Sequence, residues 1–293
     1  AVNSVLGIFR PYFPSLPKTY QTLMSTPRHV PIVQMSNGQY VHFGLQSGLL
    51  RALDMWHLVD IGALSLSANI DGLPLFKSSN TQVWPILAQL HHPSNKHLDV
   101  LFAVGVFCGT SKPGCLEEYL KAFIEELGHV LSCGIDHKGM HHEVTLKAIL
   151  CDAPAKAYVK ATKSFSGYYG CDKCCAKGVY FGRMTYPSMH SPLRTDDSFA
   201  NQDQKEHHKG VSPLASIIPM VTSFPIDYMH LVCLGVVRKM IGYWVAGPRR
   251  VKLSHGSVLR VSGLLVTMRS RIPRDFARKP RPLSLYERWK ATE

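Results

Sequence analysis

Hydrophobic residues in the first half of the chain occur in short runs of strand length, separated by polar turns. Three such runs cover 63–70, 83–90 and 100–107. The first is followed by Asp71 and Gly72, a pair typical of a turn. The connections between the runs are short, so this pattern predicts a meander of three strands.

The spacing of the hydrophobic residues changes at Leu116. From 116 to 131 they recur every three or four positions, with glutamates between them, which predicts an amphipathic helix. The run 144–150 again has strand length, and 153–163 predicts a helix with Pro154 in its first turn. The predicted element order is therefore β-β-β-α-β-α.

This order is that of the ribonuclease H-like fold, an α/β fold with a mixed sheet in which the first and fourth strands are neighbours. Asp71 follows the first strand and Asp152 follows the fourth, so the two carboxylates are expected to meet. Mg²⁺ prefers oxygen ligands, and two such ions can assist an in-line phosphoryl displacement. Each aspartate also has an ordinary interpretation, Asp71 as a turn residue and Asp152 as a helix N-cap.

The rest of the chain predicts a loop-rich and helical insertion. The polar stretch 196–209 is expected to be exposed and mobile. Hydrophobic residues between Met229 and Trp244 form a stripe with helical spacing, which is typical of core packing. A second helix is expected over 259–271, with arginines that could face a DNA backbone.

Cysteine spacing indicates one candidate metal site. Most of the eight cysteines lie singly in hydrophobic runs, as buried structural cysteines do. Only Cys171 and Cys174 have the spacing of metal ligands, with Cys175 as an alternative register. They supply half of a zinc site.

Composition and charge narrow the class of partner. The 293 residues are 45% hydrophobic and 18% charged, which excludes disordered, collagen-like and disulfide-scaffold classes. Without a signal peptide or an uninterrupted apolar run of about 18 residues, the chain is expected to be soluble and intracellular, with no membrane association. Of the net charge of +13, residues 249–293 carry +9, from twelve Lys/Arg and three Asp/Glu. Such a basic segment favours nucleic acid as partner.

Five motifs together resemble those of eukaryotic cut-and-paste DDE transposases, nearest to the CACTA-like branch and to transposase-derived proteins of animal genomes. The resemblance covers roughly residues 60 to 293. The motifs are NIDGLPL at 69–75, LCDAPA at 150–155, the pair Cys171/Cys174, FPIDYMHLVCLGV at 224–236 and RWKATE at 288–293.

The resemblance implies that Asp71, Asp152 and Glu293 are the catalytic carboxylates and that they bind Mg²⁺ or Mn²⁺. Glu287, about two helical turns before Glu293, is the alternative third carboxylate. The stretch 285–293 is expected to be helical, and the chain, which starts without Met and stops within that stretch, is expected to be a fragment or an internal domain.

The resemblance also implies a structural zinc ion held by Cys171, Cys174, Asp227 and His230. His207 and His208 are alternative ligands. Asp227 could bind the metal or could orient His230, and its ordinary interpretation is a cap for the helix that begins near Tyr228.

The implied function is divalent-metal-dependent cleavage and transfer of DNA strands by an enzyme in the nucleus, acting on transposon ends and target DNA as a homo-oligomer. The alternative is a domesticated or decayed transposase that binds DNA without cutting it. The predicted organisation has four parts, a partly helical lead-in (1–58), a ribonuclease H-like core (59–165), a zinc-knuckle and helical insertion (166–282) and the start of the helix with the third carboxylate (283–293).

Overall fold

A mixed seven-stranded sheet forms the centre of the molecule. The computed structural model describes residues 2–24, 30–56 and 62–292. The strands are β1 (Ile32–Met35), β2 (Gly38–His42), β3 (Leu64–Ile70), β4 (Leu73–Pro74), β5 (Gln82–His91), β6 (Val100–Gly109), β7 (Ile135–His137), β8 (Met140–His142), β9 (Val144–Leu150), β10 (Val179–Tyr180) and β11 (Met184–Thr185). The α-helices are α1 (Val2–Phe9), α2 (Tyr20–Leu23), α3 (Leu45–Trp56), α4 (Leu116–Cys133), α5 (Ala153–Val159), α6 (Asp196–Ala200), α7 (Arg238–Ala246) and α8 (His255–Met268).

The strand order in the large sheet is β1-β2-β6-β5-β3-β9, and β4 pairs with β5. The β3–β9 pair is parallel, whereas the other pairs in this sheet are antiparallel. Asn69 lies opposite Leu150 in the β3–β9 register, so these two strands end side by side. The β7–β8 and β10–β11 pairs form two separate hairpins.

The prediction of an α/β fold with a mixed sheet is confirmed. The sequence could predict it because the periodicity of a strand or helix depends on residues that are close together in the chain. Strands β3, β5, β6 and β9 and helix α4 lie where the hydrophobic pattern predicts them. Helix α5 is shorter than predicted and ends at Val159. It stops there because Ala161 takes a positive φ of 53° and Thr162 bridges to His208.

Alternation of side chains produces the core. Along β5, Trp84, Ile86, Ala88 and Leu90 point to one face and are buried. Helices α3 and α4 pack against the sheet and against each other. This core accounts for most of the buried hydrophobic side chains, whose transfer from water drives folding.

The N-terminal segment contains helices, as expected of a partly helical lead-in, and it also adds two strands to the sheet. Strands β1 and β2 extend the sheet beyond β6, and their turn is tied down by Asn37. The Asn37 Nδ2 donates to Lys112 O at 2.7 Å, and its Oδ1 accepts from Gly114 N at 2.8 Å. Such short strands give almost no periodic signal, which is why the pattern missed them.

The stretch 196–209, expected to be exposed and mobile, is instead folded. It contains α6 and a 3₁₀ turn at Lys205–His207, and Phe199 and His207 are buried. Thr195 and Ser198 form a reciprocal capping box at the start of α6. The helix cap and the buried ring of Phe199 therefore keep this stretch folded despite its polar composition.

The apolar stripe between Met229 and Trp244 is not core, which corrects the prediction. Its residues form a π-helical segment, Tyr228–Val237, that continues into α7, and Ile241 is the buried residue of α7. In the described part of the chain α7 packs mainly on the π-helical segment and on the 3₁₀ turn Leu283–Arg288, so most of the stripe faces outward.

One helix among the described residues, Tyr228–Ala246, is long and apolar enough to cross a membrane when judged by length and composition alone. Arg238 and Lys239 interrupt its apolar run midway.

The expected helix over 285–293 is not present in the described residues. The 3₁₀ turn Leu283–Arg288 ends at Trp289, whose ψ of 144° is extended. The predicted second helix does exist as α8, which begins four residues earlier than expected.

Candidate functional site

Asp71 and Asp152 lie at the same end of the parallel strand pair β3–β9 in the large sheet. Asp71 follows the last residue of β3, and Asp152 comes two residues after the end of β9. The Asn69 Nδ2 donates to Leu150 O at 3.1 Å and so joins the two strands just before the aspartates. The structure thus brings together the two carboxylates predicted from the strand order.

Burial and the neighbouring charge raise the pKa of Asp71. Burial is the larger cause, and the negative charge of Asp152 is the next. The Gly72 N–H donates to Asp71 Oδ1 at 2.8 Å and acts in the opposite direction. Burial and the charge of Asp152 thus disfavour the ionised form of Asp71, and a bound cation would relieve this.

Asp152 also serves as the N-cap of α5. Its Oδ1 accepts from Ala155 N at 2.7 Å, and Pro154 lies in the first turn, so the ordinary interpretation of this residue holds as well. Within the described residues, neither Asp71 nor Asp152 uses its Oδ2 in a hydrogen bond. One oxygen of each carboxylate fixes the local turn, and the other is left for a ligand.

Asp227 and His230 lie close to the two aspartates. The Asp227 Oδ1 accepts from Met229 N at 2.8 Å, which caps the π-helical segment, and its Oδ2 contacts His230 Nδ1 at 2.5 Å. The charges of Asp227 and His230 both act on the pKa of Asp71. The motif predicted as part of a zinc site is therefore placed beside the carboxylates.

A cleft of about 490 Å³ connects these groups. Asp152, Cys171, Asp227 and His230 line it, together with the aromatic ring of Phe165. The cleft brings the predicted carboxylate and cysteine motifs into one space.

Cys171 and Cys174 have their sulfur atoms 3.2 Å apart, close enough to bind one zinc ion. Among residues 2–24, 30–56 and 62–292, no group of three or more His, Cys, Asp or Glu side chains is arranged to hold a metal. The full set of Cys171, Cys174, Asp227 and His230 stays a prediction. His207 is turned to Tyr169, with its Nδ1 2.7 Å from that carbonyl oxygen.

The third carboxylate is not located. Glu293 lies outside the described residues. Glu287 lies on the turn Leu283–Arg288, where Tyr286 OH donates to it at 3.3 Å. The choice between them stays open.

A cluster of three lysines around Asp172 was missed by the sequence analysis. Lys160, fully buried, and the nearby Lys156 and Lys173 all form ion pairs with this carboxylate. Burial acts to raise the pKa of Asp172, but the charges of the lysines outweigh it and hold that pKa below its usual value. The signal in the sequence was a pair of lysines in an otherwise apolar segment, Lys156 on α5 and Lys160 just after it.

The lysine cluster clamps the segment that leads to Asp227. The Lys156 Nζ donates to Pro225 O at 2.6 Å, and the Lys173 Nζ donates to Phe224 O at 2.6 Å. Because Lys156 belongs to α5, the helix capped by Asp152 is tied to the chain just before Asp227. The cluster therefore fixes the relative position of the two motifs.

Ser67, His91 and Asp99 form a hydrogen-bonded chain that resembles a hydrolase triad. The Ser67 Oγ lies 2.8 Å from His91 Nε2, and His91 Nδ1 lies 2.9 Å from Asp99 Oδ2. Ser67 is only 6% exposed, which leaves no approach for a substrate carbonyl. These hydrogen bonds instead hold β3, β5 and the start of β6 together.

The arrangement suits chemistry on phosphate esters. Two carboxylates can hold a hard cation, and Lys156 and Lys173 line the same cleft with positive charge. No Ser, Cys or Tyr among the described cleft residues is activated by a neighbouring base. No family model matches this chain, and no curated protein matches its sequence.

Proposed function

We propose that this chain is the catalytic part of a DDE-type DNA transposase, an enzyme that cleaves and transfers DNA strands with divalent metal ions. The observation that carries the proposal is the pair Asp71 and Asp152, side by side at the ends of β3 and β9. Carboxylates at the ends of adjacent strands are held rigidly by the sheet, as metal-dependent chemistry on phosphates requires.

We propose further that the sheet is ribonuclease H-like. Support comes from its connectivity, in which β3, β5 and β6 form an antiparallel meander and β9 returns parallel to β3 after helix α4. The same order places an aspartate after the first and fourth of these strands.

Mg²⁺ or Mn²⁺ would be held by Asp71 and Asp152, with Glu293 as the proposed third ligand. The donor set fits such an ion, because it consists of carboxylate oxygens, and a cation would offset the burial and the Asp152 charge that raise the pKa of Asp71. When bound, the metal supplies activation of the attacking oxygen and stabilisation of the leaving oxygen.

The protein's own residues supply orientation and charge. Asp227 holds the His230 ring by its Nδ1, which directs Nε2 away from that contact. The cleft lining combines Lys156, Lys163 and Lys173 with Asp152, Asp172 and Asp227, and its lysines supply positive charge for a phosphodiester. Asn69 holds the two strand ends at a fixed separation.

A structural zinc ion at Cys171 and Cys174 belongs to the same proposal. The two sulfur atoms fit a shared ion, and His230 keeps Nε2 for a metal while Asp227 orients the ring through Nδ1. Zinc content measured by mass spectrometry should fall when Cys171 and Cys174 are both replaced by Ser.

DNA is the proposed substrate, with nuclear residence and assembly into a homo-oligomer that holds two DNA ends together. The net charge of +13 supports a polyanionic partner.

The test is nicking and strand transfer on labelled DNA with Mg²⁺ or Mn²⁺. We expect Asp71→Asn, Asp152→Asn and Glu293→Gln each to abolish activity. Asp136→Asn, which changes an exposed aspartate on β7, is the matched control and should retain it. Metal-independent cutting, or full activity of Asp71→Asn, would refute the proposal. DNA binding without any cutting would favour the alternative of a domesticated transposase.

A further inference from the structure

Two hydrogen-bonded segments beside the cleft, 165–168 and the β10–β11 hairpin, carry four exposed aromatic rings. They belong to Phe165, Tyr168, Tyr180 and Phe181, and we call them the aromatic hairpin surface. Phe181 is 77% exposed at the tip of the β10–β11 hairpin, where Gly182 turns the chain with a φ of 66°. Large rings that remain in water without a covering element mark an interaction site more often than chance.

Hydrogen bonds attach this surface to the rim of the cleft. The Gly178 N, just before β10, donates to Tyr168 O at 2.5 Å. Just after β11, the Tyr186 OH donates to Phe165 O at 3.0 Å. Both Phe165 and Tyr186 line the cleft that contains Asp152. The rings are therefore held at a defined place next to the proposed reaction site.

The surroundings of the rings are cationic. Residues 153–195 contain seven Lys/Arg and a single acidic residue, Asp172, a net charge of +6. Lys163, Lys177 and Arg183 are exposed and alternate with the rings along the chain. The lysine cluster already engages Asp172, so no acidic side chain within 153–195 is left to neutralise the exposed cations.

We propose that the aromatic hairpin surface binds single-stranded DNA by stacking unpaired bases on Phe165 and Phe181, while Lys163, Lys177 and Arg183 contact the phosphates. Exposed rings combined with cations form the usual platform for single strands, because every base has a face to stack. Duplex bases are already stacked on each other and cannot use these rings. The inference rests on the proposed function, since it assigns the strand next to the cleaved phosphate.

The experiment measures binding without chemistry. Fluorescence anisotropy without added Mg²⁺ or Mn²⁺ compares a labelled single-stranded DNA, an abasic strand of equal length, a blunt duplex and an RNA of the same sequence. We expect the single strand to bind more tightly than the abasic strand. Phe181→Ala and Phe165→Ala should each weaken single-strand binding about tenfold and leave abasic binding unchanged. Phe13→Ala, which changes an equally exposed ring outside this surface, should have no effect.

Equal affinity for normal and abasic strands would overturn the inference, as would wild-type affinity of Phe181→Ala and Phe165→Ala. Tighter binding of RNA than of DNA would overturn the assignment to DNA. Because the assay contains no added Mg²⁺ or Mn²⁺, it measures binding apart from catalysis, and Asp136→Asn, the exposed control on β7, should bind the strand as the wild type does. If the protein failed to cut DNA but still bound the single strand through base stacking, the result would contradict the proposed function. The inference about the aromatic hairpin surface would stand.

Discussion

Asn69 contributes to the site through a single side-chain contact between two strands. We expect Asn69→Ala to lower the nicking rate about tenfold and to raise the Mn²⁺ concentration needed for half-maximal rate, because the strand ends below Asp71 and Asp152 would lose their tie. The free energy of unfolding should fall by only about 1 kcal/mol. Asn201→Ala, at the exposed end of α6, is the control. An unchanged Mn²⁺ concentration for half-maximal rate would show that the sheet alone sets the separation of Asp71 and Asp152.

His207 links stability to pH. Burial lowers its pKa to about 4, and the charges of Arg194, His208 and Lys160 act in the same direction. Its unfolded value is 6.5, so the unfolded state binds the extra proton between these two values. His207 therefore does not reduce the free energy of unfolding above pH 6.5. As the pH falls from 6.5 toward 4, proton binding to the unfolded state lowers that free energy.

We therefore expect the wild-type free energy of unfolding to fall by about 2 kcal/mol between pH 7 and pH 5 through His207. His207→Gln should remove that part of the slope, whereas the exposed His129→Gln should leave it. Urea denaturation in EDTA at both pH values measures the difference. Parallel slopes for wild type and His207→Gln would contradict the assignment.

The sequence predicted the positions of Asp71 and Asp152 because a strand end is a local feature. It did not predict Asn69, Asp172 or Lys160 as structural contacts. Their roles depend on which distant backbone carbonyl or carboxylate lies within hydrogen-bond reach, and that is settled only by the packed chain.

At the scale of elements, the double role of Asp152 can be separated by substitution. Asparagine caps a helix about as well as aspartate, whereas alanine does not. Asp152→Asn should thus keep the stability of α5 and lose catalysis, and Asp152→Ala should lose about 1 kcal/mol as well. Thermal denaturation and the nicking assay, run on both variants, give the two readouts. Equal destabilisation by both would mean that charge, and not the cap, stabilises this helix.

Long periodic elements were predicted well, and short or peripheral ones were not. Helix α4 and strand β5 each bury a regular face, which the hydrophobic pattern records. The π-helical segment and α7 carry an equally regular stripe, yet that stripe faces outward among the described residues. Periodicity indicates an apolar face but not what covers it.

At the scale of the whole molecule, the positive charge of 249–293 predicts a salt-dependent contact with DNA. Arg271 and Arg274 are exposed. Replacing both by Gln should reduce the slope of log K against log salt by about 2, since each phosphate contact contributes about 0.9. Lys96→Gln with Lys121→Gln removes the same charge from exposed positions elsewhere and should leave the slope unchanged. Equal effects of the two double variants would indicate that net charge alone attracts DNA.

The ion pairs of Asp172 have a mechanical consequence for the insertion. They tie 171–174 to α5, and Lys156 and Lys173 tie 221–225 to the same place. The intervening chain leaves this anchor and returns to it. A protease cut near Met189, which is 88% exposed, would leave two fragments that stay together under native conditions and separate only in denaturant. We therefore expect the insertion and the core to unfold as one cooperative unit.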